Sequence, residues 1–172
     1  MKIALIGYMG AGKTYWAQKL AEALQCQFID LDKYLEEHLL NMSIFDFVQS
    51  KGELAFRKKE REALLMLTAS NEDFVLATGG GTPCYYDNME VLNQALFTIY
   101  LDIPIKKLAD RLVEEKDHRP LISHLTKDEI MEFIAKHLFE RRVFYNMAQA
   151  SIYEKDLNLD SLLEAIENNS NK

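Results

Sequence analysis

Residues 7–14 read Gly-Tyr-Met-Gly-Ala-Gly-Lys-Thr and fit the phosphate-binding pattern G-x-x-x-x-G-K-[ST] at every fixed position. Glycines in such a loop let backbone N–H groups turn toward phosphate oxygens, while Lys13 reaches the β- and γ-phosphates and Thr14 offers a hydroxyl to Mg²⁺. A glycine-rich turn with an exposed lysine is the alternative interpretation. The pattern predicts that a nucleoside triphosphate binds at Gly10, Ala11, Gly12, Lys13, Thr14 and Tyr15.

Two carboxylates, Asp30 and Asp32, follow the next apolar run of the chain. Because side chains alternate along a strand with a period of two, both carboxylates lie on the same face. One suits the water shell of a Mg²⁺ ion, and the other suits the orientation and deprotonation of an acceptor hydroxyl. A structural interpretation stays open as well, since Asp32 before Lys33 is a good helix N-cap.

Three successive glycines, Gly79, Gly80 and Gly81, follow a further apolar run. Residues without a Cβ lose much backbone entropy when they become ordered, so a run of three needs a physical reason. Close approach of the backbone to a bound molecule is one reason, and a plain flexible turn is the alternative. We predict the first.

Arginine is scarce in this chain, and its positions are candidates for contacts with anions. The chain has 20 Lys and Arg residues against 27 Asp and Glu residues, which gives a net charge of −7. Arginine binds carboxylate and phosphate in bidentate geometry, and an acidic protein that handles anions must concentrate its positive charge locally. The arginines are Arg57, Arg61, Arg111, Arg119, Arg141 and Arg142.

Spacing alone says little about the roles of these arginines. Arg57 stands next to Phe56 early in a predicted helix, and we expect it on a solvated basic face. Arg119 lies in the polar segment 116–124, where Pro120 stiffens the chain. A mobile lid with an arginine would stabilise charge on a transferring phosphoryl group and exclude water. An ordinary exposed loop is the alternative.

Length and composition predict one globular domain over residues 1–172, with 48% hydrophobic and 27% charged residues. The acidic charge argues against a nucleic-acid-binding surface, and no apolar stretch approaches the ~18 residues of a membrane span. Cys26 and Cys84 have the spacing of neither a disulfide framework nor a metal site. With no signal peptide before the glycine loop, we expect a cytoplasmic location.

Around these residues the sequence alternates between strand and helix patterns. Strands are predicted at 2–6, 28–29, 74–77, 97–101 and 150–153. Helices are predicted after the glycine loop and at about 33–40, 44–52, 53–68, 87–93, 104–115, 126–147 and 161–168. Ser43 and Thr126 are expected to start helices as capping boxes, and Asp87 as a cap. Repeated βα units predict a three-layer α/β fold with a parallel sheet, helices on both faces and a ligand beyond the carboxyl ends of the strands.

Further motifs accompany the glycine loop in order, namely F-I-D-L-D, F-R-K-K-E, L-A-T-G-G-G-T, R-P-L-I and E-R-R-V-F-Y. With them, the chain resembles shikimate kinases from about residue 2 to about residue 153. The resemblance implies a nucleoside-monophosphate-kinase-like P-loop NTPase fold with a five-stranded parallel sheet. It also implies a helical substrate region at about 32–61 and a short lid at about 112–125.

The activity that the resemblance implies is transfer of the ATP γ-phosphate to the 3-hydroxyl of shikimate, with Mg²⁺ as cofactor. Lys13 would neutralise the phosphates, and Thr14 with Asp30 would hold Mg²⁺ directly or through water. Arg111 would lie against the adenine. Arg119 would be the lid arginine on the transferring phosphate, and would act in catalysis together with Lys13 and an aspartate.

For the acceptor, the resemblance implies that Asp32 binds the shikimate hydroxyls and acts as base or orienter. Arg57 and Arg141 would clamp the carboxylate, with Arg141 chosen over Arg142 by its place in the motif. Backbone at 79–81 would contact the ring. A gluconate kinase, or a catalytically silent relative that serves as a binding module, is the alternative. We expect an active enzyme that is a monomer.

Overall fold

The computed structural model describes residues 1–115 and 122–170. Its strands are β1 (Lys2–Ile6), β2 (Gln27–Asp30), β3 (Phe74–Ala77), β4 (Phe97–Asp102) and β5 (Ala150–Tyr153). They form one sheet in the order β2-β3-β1-β4-β5, and each neighbouring pair is parallel. The five-stranded parallel sheet predicted above is therefore confirmed.

Helices connect and cover these strands. They are α1 (Lys13–Leu24), α2 (Leu31–Leu35), α3 (Ile44–Lys51), α4 (Glu53–Ala69), α5 (Asn88–Ala95), α6 (Ile105–Glu114), α7 (Lys127–Tyr145) and α8 (Leu159–Ser170). Short turns of 3₁₀ helix occur at Thr82–Cys84 and Glu154–Asp156. Within the described ranges, every helix is too short or too polar to traverse a bilayer.

The three central strands are covered on both faces. Residues 3–6 of β1, all of β3 and residues 97–101 of β4 are buried, so successive side chains are hidden regardless of the face they point to. Continuous burial of this kind is typical of parallel sheets that have helices on both sides. Of these helices, α1 packs on β2, β3 and α8, while α6 packs on α7.

The register of the sheet brings three sequence motifs to one edge. Ala77 at the end of β3 is paired with Leu5 of β1 and with Asp30 of β2. Because the strands are parallel, the glycine loop, the Asp30–Asp32 pair and the triple glycine all leave the sheet at its carboxyl edge. The fold therefore assembles at one place the residues to which the sequence analysis assigned chemistry.

Two of the predicted helix starts are capped, Thr126 by the full capping box expected and Ser43 by its N-cap bond alone. Thr126 forms a reciprocal capping box with Glu129 at the start of α7. The Ser43 hydroxyl accepts a hydrogen bond from the backbone N–H of Asp46 at 3.1 Å and starts α3. These local signals were read correctly because both partners lie within one helical turn.

One other prediction in these segments was wrong, and one predicted helix begins two residues earlier than expected. Asp87 precedes α5 but its side chain makes no capping hydrogen bond, since it forms an ion pair with Arg61 of α4 instead. The helix expected at 33–40 begins at Leu31, and residues Glu36–Leu40 form a π-helical turn. The Asp87–Arg61 pair joins residues that are far apart in sequence, so spacing along the chain does not show it.

Candidate active site

The loop between β1 and α1 wraps around the Lys13 side chain. Gly12 caps α1 in a left-handed conformation with φ of 91°, which side chains with a Cβ rarely adopt. Lys13 Nζ donates hydrogen bonds to the carbonyl oxygens of Gly7 at 2.8 Å and Tyr8 at 2.9 Å. The lysine and the N-terminus of α1 thus concentrate positive charge at the loop, as an anion site requires.

A cleft of about 550 Å³ opens in front of this loop, and we call it the P-loop cleft. Its polar wall combines two cationic side chains, three carboxylates and two residues of the triple glycine. The lining residues are Met9, Gly10, Gly12, Lys13, Thr14, Tyr15, Trp16, Asp30, Asp32, Thr78, Gly79, Gly80, Arg111 and Glu115. Most of the residues predicted to bind a nucleotide therefore line one volume.

The Asp30 carboxylate, at the end of β2, contacts both α1 and α2. Its Oδ2 accepts a 2.9 Å hydrogen bond from the Thr14 hydroxyl, and its Oδ1 accepts bonds from the backbone N–H groups of Asp32 and Lys33 at 3.1 and 3.4 Å. Asp30 is therefore the N-cap of α2. The interpretation of Asp32 as the N-cap is wrong, and its carboxylate lines the cleft instead.

The Asp32 carboxyl has an unusual affinity for its proton. It is accessible through the mouth of the cleft, yet protein surrounds it on most sides. Desolvation, followed by the charges of Asp30 and Glu60, raises its pKa to about 6, while Lys13 acts in the opposite direction. A carboxyl with a pKa near neutrality, placed beside a phosphate-binding loop, suits the exchange of a proton during a reaction.

A second volume of about 720 Å³, the arginine cavity, lies next to the P-loop cleft. Two guanidinium groups on its wall make it suited to a carboxylate. Its lining residues are Met9, Val48, Glu53, Phe56, Arg57, Cys84, Tyr85, Phe133, His137, Glu140, Arg141 and Phe144. Met9 belongs to both linings and separates the two volumes.

Arg57 is held from several sides, and its predicted place on a solvated basic face is wrong. Only 12% of its side chain is exposed. Nη1 donates to Glu60 Oε2 at 2.9 Å, Nη2 donates to Glu53 Oε1 at 3.4 Å, and Cζ lies 4.1 Å from the centroid of the Tyr85 ring. Helical spacing could not show this burial, because the ring that covers the arginine comes from another segment of the chain.

Glu60 connects this arginine with the segment after β3. The side chain of Glu60 is 1% exposed, and its Oε1 accepts a 2.6 Å hydrogen bond from the Thr82 hydroxyl. A Cβ on Gly81 would lie 2.6 Å from Nη2 of Arg57. The triple glycine therefore does meet a close neighbour, but at Gly81 this neighbour is a side chain of the protein itself.

The adjacent arginines of α7 point to different places. Arg141 lines the arginine cavity, with Cζ 5.6 Å from the centroid of the Tyr8 ring. Arg142 is half exposed and its Nη2 lies 3.4 Å from Asp102 Oδ1, outside that cavity. One helical turn after Arg141, the buried Tyr145 hydroxyl donates a 2.6 Å hydrogen bond to the Gly80 carbonyl. Helix α7 thus carries Arg141 and also anchors the triple glycine.

The remaining predicted arginines concern the nucleotide and the lid. Arg111 Nη1 donates a 2.8 Å hydrogen bond to the Gly10 carbonyl, so this side chain lies against the glycine loop. Arg119 lies outside the described residues. Of the predicted lid, 112–114 belong to α6, while 116–121 are not among the described residues. The lid stays a prediction.

Comparison with known proteins identifies the family. The family model described as shikimate kinase matches residues 9–168. The shikimate kinase of Flavobacterium johnsoniae is 42% identical over 166 residues, which are 96% of either chain. The chain belongs to the shikimate kinase family.

Solved structures of this family have the same fold. Shikimate kinase from Bacteroides thetaiotaomicron superposes with a TM-score of 0.90 at 36% identity, over 97% of this chain and 98% of that one. Shikimate kinase from Acinetobacter baumannii in complex with shikimate gives 0.85 at 31% identity, over 99% and 95%. The predicted kinase class and P-loop NTPase fold are confirmed, and neither a gluconate kinase nor a silent module is favoured.

In this shikimate kinase family member, the predicted site residues fall into two adjoining groups. Lys13, Thr14, Tyr15, Asp30, Asp32 and Arg111 line the P-loop cleft together with Gly10, Gly12, Gly79 and Gly80. Arg57 and Arg141 line the arginine cavity. Ala11 is a buried residue of the glycine loop, and Gly81 is packed against Arg57.

Several residues of the site were missed. Glu60 stands in the motif F-R-K-K-E, three positions after Arg57, and this i,i+3 spacing could have indicated the ion pair. Thr82 directly follows the triple glycine, but a hydroxyl at this position gives only a weak indication of its hydrogen bond to Glu60. Glu53 and Tyr85, which contact each other at 2.7 Å, are 32 residues apart, and no local pattern predicts such a contact.

Proposed function

We propose that this chain phosphorylates the 3-hydroxyl of shikimate with ATP as the phosphoryl donor. The juxtaposition of the two volumes carries this proposal. Gly80 lies at their boundary, where a Cβ would stand 3.2 Å from the Met9 backbone nitrogen and 3.7 Å from Arg141 Nη1. A phosphate chain at the glycine loop and a carboxylate at the arginines would therefore be neighbours, as a kinase for a hydroxylated ring acid needs.

ATP would bind in the P-loop cleft. The backbone of Gly10–Gly12 and the Lys13 ammonium supply positive potential for the phosphates. Arg111 and Trp16 both line this cleft and both approach Gly12, where a Cβ would lie 3.5 Å from Trp16 and 3.9 Å from Arg111 Nη1, which supports the proposed place of Arg111 against the adenine. Arg119 would approach the transferring phosphate, a role that rests on the family motif R-P-L.

The donor atoms near Thr14 fit Mg²⁺. The Thr14 hydroxyl and the Asp30 carboxylate are hard oxygen donors 2.9 Å apart. Mg²⁺ usually retains several waters and takes one or two carboxylates together with substrate phosphates, so the site needs no larger cluster of protein ligands. Bound there, Mg²⁺ would neutralise charge on the phosphates of ATP.

Asp32 would act on the acceptor. Its carboxylate accepts the hydrogen bond of the 3-hydroxyl and takes up the proton as the hydroxyl oxygen bonds to the γ-phosphorus. The bond between that phosphorus and the β–γ bridging oxygen breaks, and its electron pair leaves with ADP. A pKa of about 6 leaves Asp32 mostly ionised at neutral pH, ready to accept this proton.

Arg57 and Arg141 would hold the substrate carboxylate at the far side of the ring. Both line the arginine cavity, and guanidinium groups bind carboxylates through paired hydrogen bonds. Orientation of this kind accelerates transfer because it holds the hydroxyl near the γ-phosphate. Backbone at 79–81 would border the ring.

A coupled ADP-release assay across shikimate, gluconate and nucleoside monophosphates tests the proposal. Of these acceptors, we expect only shikimate to be phosphorylated, and phosphorus NMR should place the product phosphate on O3. Lys13→Met, purified in the same way, is the control for contaminating kinases. Turnover with gluconate or a nucleotide but not with shikimate would contradict the proposal. The monomeric state and cytoplasmic location stay predictions, the first of which sedimentation tests.

A further inference from the structure

Tyr85 lies in the arginine cavity, on the segment that follows the triple glycine. We infer that Tyr85 is a positioning residue for Arg57: its ring fixes the plane of the guanidinium, and its hydroxyl restrains Glu53, the exposed carboxylate that competes with substrate for Arg57. This inference rests on the proposed function, because it concerns the affinity of the clamp for the carboxylate of shikimate.

The first support is the stacking of the two side chains. Cζ of Arg57 lies 4.1 Å from the centroid of the Tyr85 ring, well within the range of a cation–π interaction. The Phe56 ring contributes a longer contact, at 5.0 Å. An aromatic face that covers the guanidinium restricts its rotation and leaves its edge for planar hydrogen bonding.

The second support is the position of Glu53. The Tyr85 hydroxyl donates a 2.7 Å hydrogen bond to Glu53 Oε1, and Nη2 of Arg57 lies 3.4 Å from the same oxygen. This hydrogen bond and the charge of Arg57 hold the pKa of Glu53 below its ordinary value, so the group is ionised. Glu53 is therefore an internal anion beside the guanidinium that is proposed to bind the substrate carboxylate.

The geometry of the two ion pairs shows how the clamp can stay available. Arg57 is 2.9 Å from the buried Glu60 but 3.4 Å from Glu53, whose side chain is 58% exposed. Glu60 thus provides the permanent counterion, while Glu53 is held at longer range by Tyr85. A substrate carboxylate would displace the weaker of the two contacts.

Matched substitutions separate the ring from the hydroxyl. Tyr85→Phe keeps the ring, while Tyr85→Leu and Tyr85→Met remove it. Tyr86 is the control position, since it is adjacent but 53% exposed and lies outside the arginine cavity. Wild type, the three Tyr85 variants, Tyr86→Phe and Tyr86→Leu are assayed for kcat, for KM of shikimate and ATP, and for thermal midpoint.

We expect Tyr85→Leu and Tyr85→Met to raise KM for shikimate about fivefold, with kcat and KM for ATP within twofold, because an interaction common to ground and transition states is lost. Tyr85→Phe keeps the ring but releases Glu53, so it should raise KM for shikimate about twofold, less than the non-aromatic variants, while both Tyr86 variants should match wild type. Leu and Met have similar volumes but different shapes, so one of the two non-aromatic variants remains usable if the other fails to fold.

Three outcomes would overturn the inference. These are an unchanged KM for shikimate in the non-aromatic variants, equal losses in Tyr85→Phe and Tyr85→Leu, and parallel losses in kcat and both KM values that follow the thermal midpoint. Failure of the proposed function is recognised separately, because the wild-type chain itself would then not phosphorylate shikimate.

Discussion

Glu60 forms its 2.9 Å ion pair with Arg57 where solvent barely reaches, since the Glu60 side chain is 1% exposed. Its other carboxylate oxygen accepts the 2.6 Å hydrogen bond from Thr82. A single buried carboxylate thus connects α4 to the segment behind the triple glycine. Arg57 keeps its orientation because this partner cannot be exchanged for water.

Replacement of Glu60 by Gln should destabilise the protein strongly. The amide has one acceptor instead of two and carries no charge, so Arg57 would be left buried without its counterion, at about 3 kcal/mol of unfolding free energy. Urea denaturation measures this loss of unfolding free energy. The control is Glu62→Gln, which breaks the exposed Lys59–Glu62 pair at 2.7 Å and should change stability by about 1 kcal/mol or less. Equal effects of the two substitutions would contradict the buried role.

Arg141 and Arg142 offer a comparison of neighbours. Arg141→Ala should raise KM for shikimate about 10- to 100-fold, as expected from the loss of charge-assisted hydrogen bonds to a carboxylate. Arg142→Ala should leave this KM within about twofold, because Arg142 faces Asp102 instead. Steady-state kinetics at saturating ATP checks both. A larger effect at Arg142 would reverse the assignment of the clamp.

Asp32→Asn should abolish most turnover and spare nucleotide affinity. An amide accepts a hydrogen bond but takes up no proton, so we expect kcat to fall by about 10²- to 10⁴-fold. In the wild type, kcat/KM should decline as the pH falls below about 6, where Asp32 becomes protonated. Stopped assays over pH 5–8 and nucleotide titration measure these effects. Wild-type turnover in the variant would contradict the role of Asp32.

The same substitution should also stabilise the fold at alkaline pH. The pKa of Asp32 is about 6 in the folded state against 3.8 for an unperturbed aspartate, so folding favours the protonated form. The contribution of Asp32 to the unfolding free energy is then most favourable below pH ~4, and it is lost as the pH rises through ~6. Asp32→Asn should melt higher than wild type at pH 8, and the two should converge near pH 4. Asp156→Asn, at an exposed turn, is the control.

Gly81→Ala should impair substrate binding, whereas Gly52→Ala should impair stability. A Cβ at Gly81 would stand 2.6 Å from Arg57 Nη2, so the alanine must displace the guanidinium and should raise KM for shikimate about tenfold. A Cβ at Gly52 would meet nothing within 4 Å, but φ there is +86°. Its alanine should lower stability by about 1 kcal/mol and leave KM unchanged. Kinetics together with melting curves distinguish the two.

The sequence predicted those parts of the structure that depend on neighbouring residues. Five apolar runs became the five strands, and the Thr126 capping box starts α7 as expected. The glycine loop was predictable because it requires particular residues at fixed spacing. The convergence of motifs at one sheet edge followed from the parallel topology alone.

What sequence spacing could not supply were contacts between distant segments. Asp87 was read as a cap because Arg61, its partner on α4, lies 26 positions earlier in the chain. The burial of Arg57 likewise depends on Tyr85, which is brought against it only by the fold. Asp30 caps α2 in place of Asp32, because the exact end of β2 decides which carboxylate meets the free N–H groups of the helix.

Met9 lies at the boundary between the P-loop cleft and the arginine cavity, since it lines both volumes. An inhibitor that joins a phosphate chain to a carboxylated ring would need only a short tether to reach both sides. Because the second contact would then form within one molecule, its effective concentration would lie in the millimolar range for a short flexible tether. The shared lining at Met9 therefore makes bisubstrate compounds a rational design for this site.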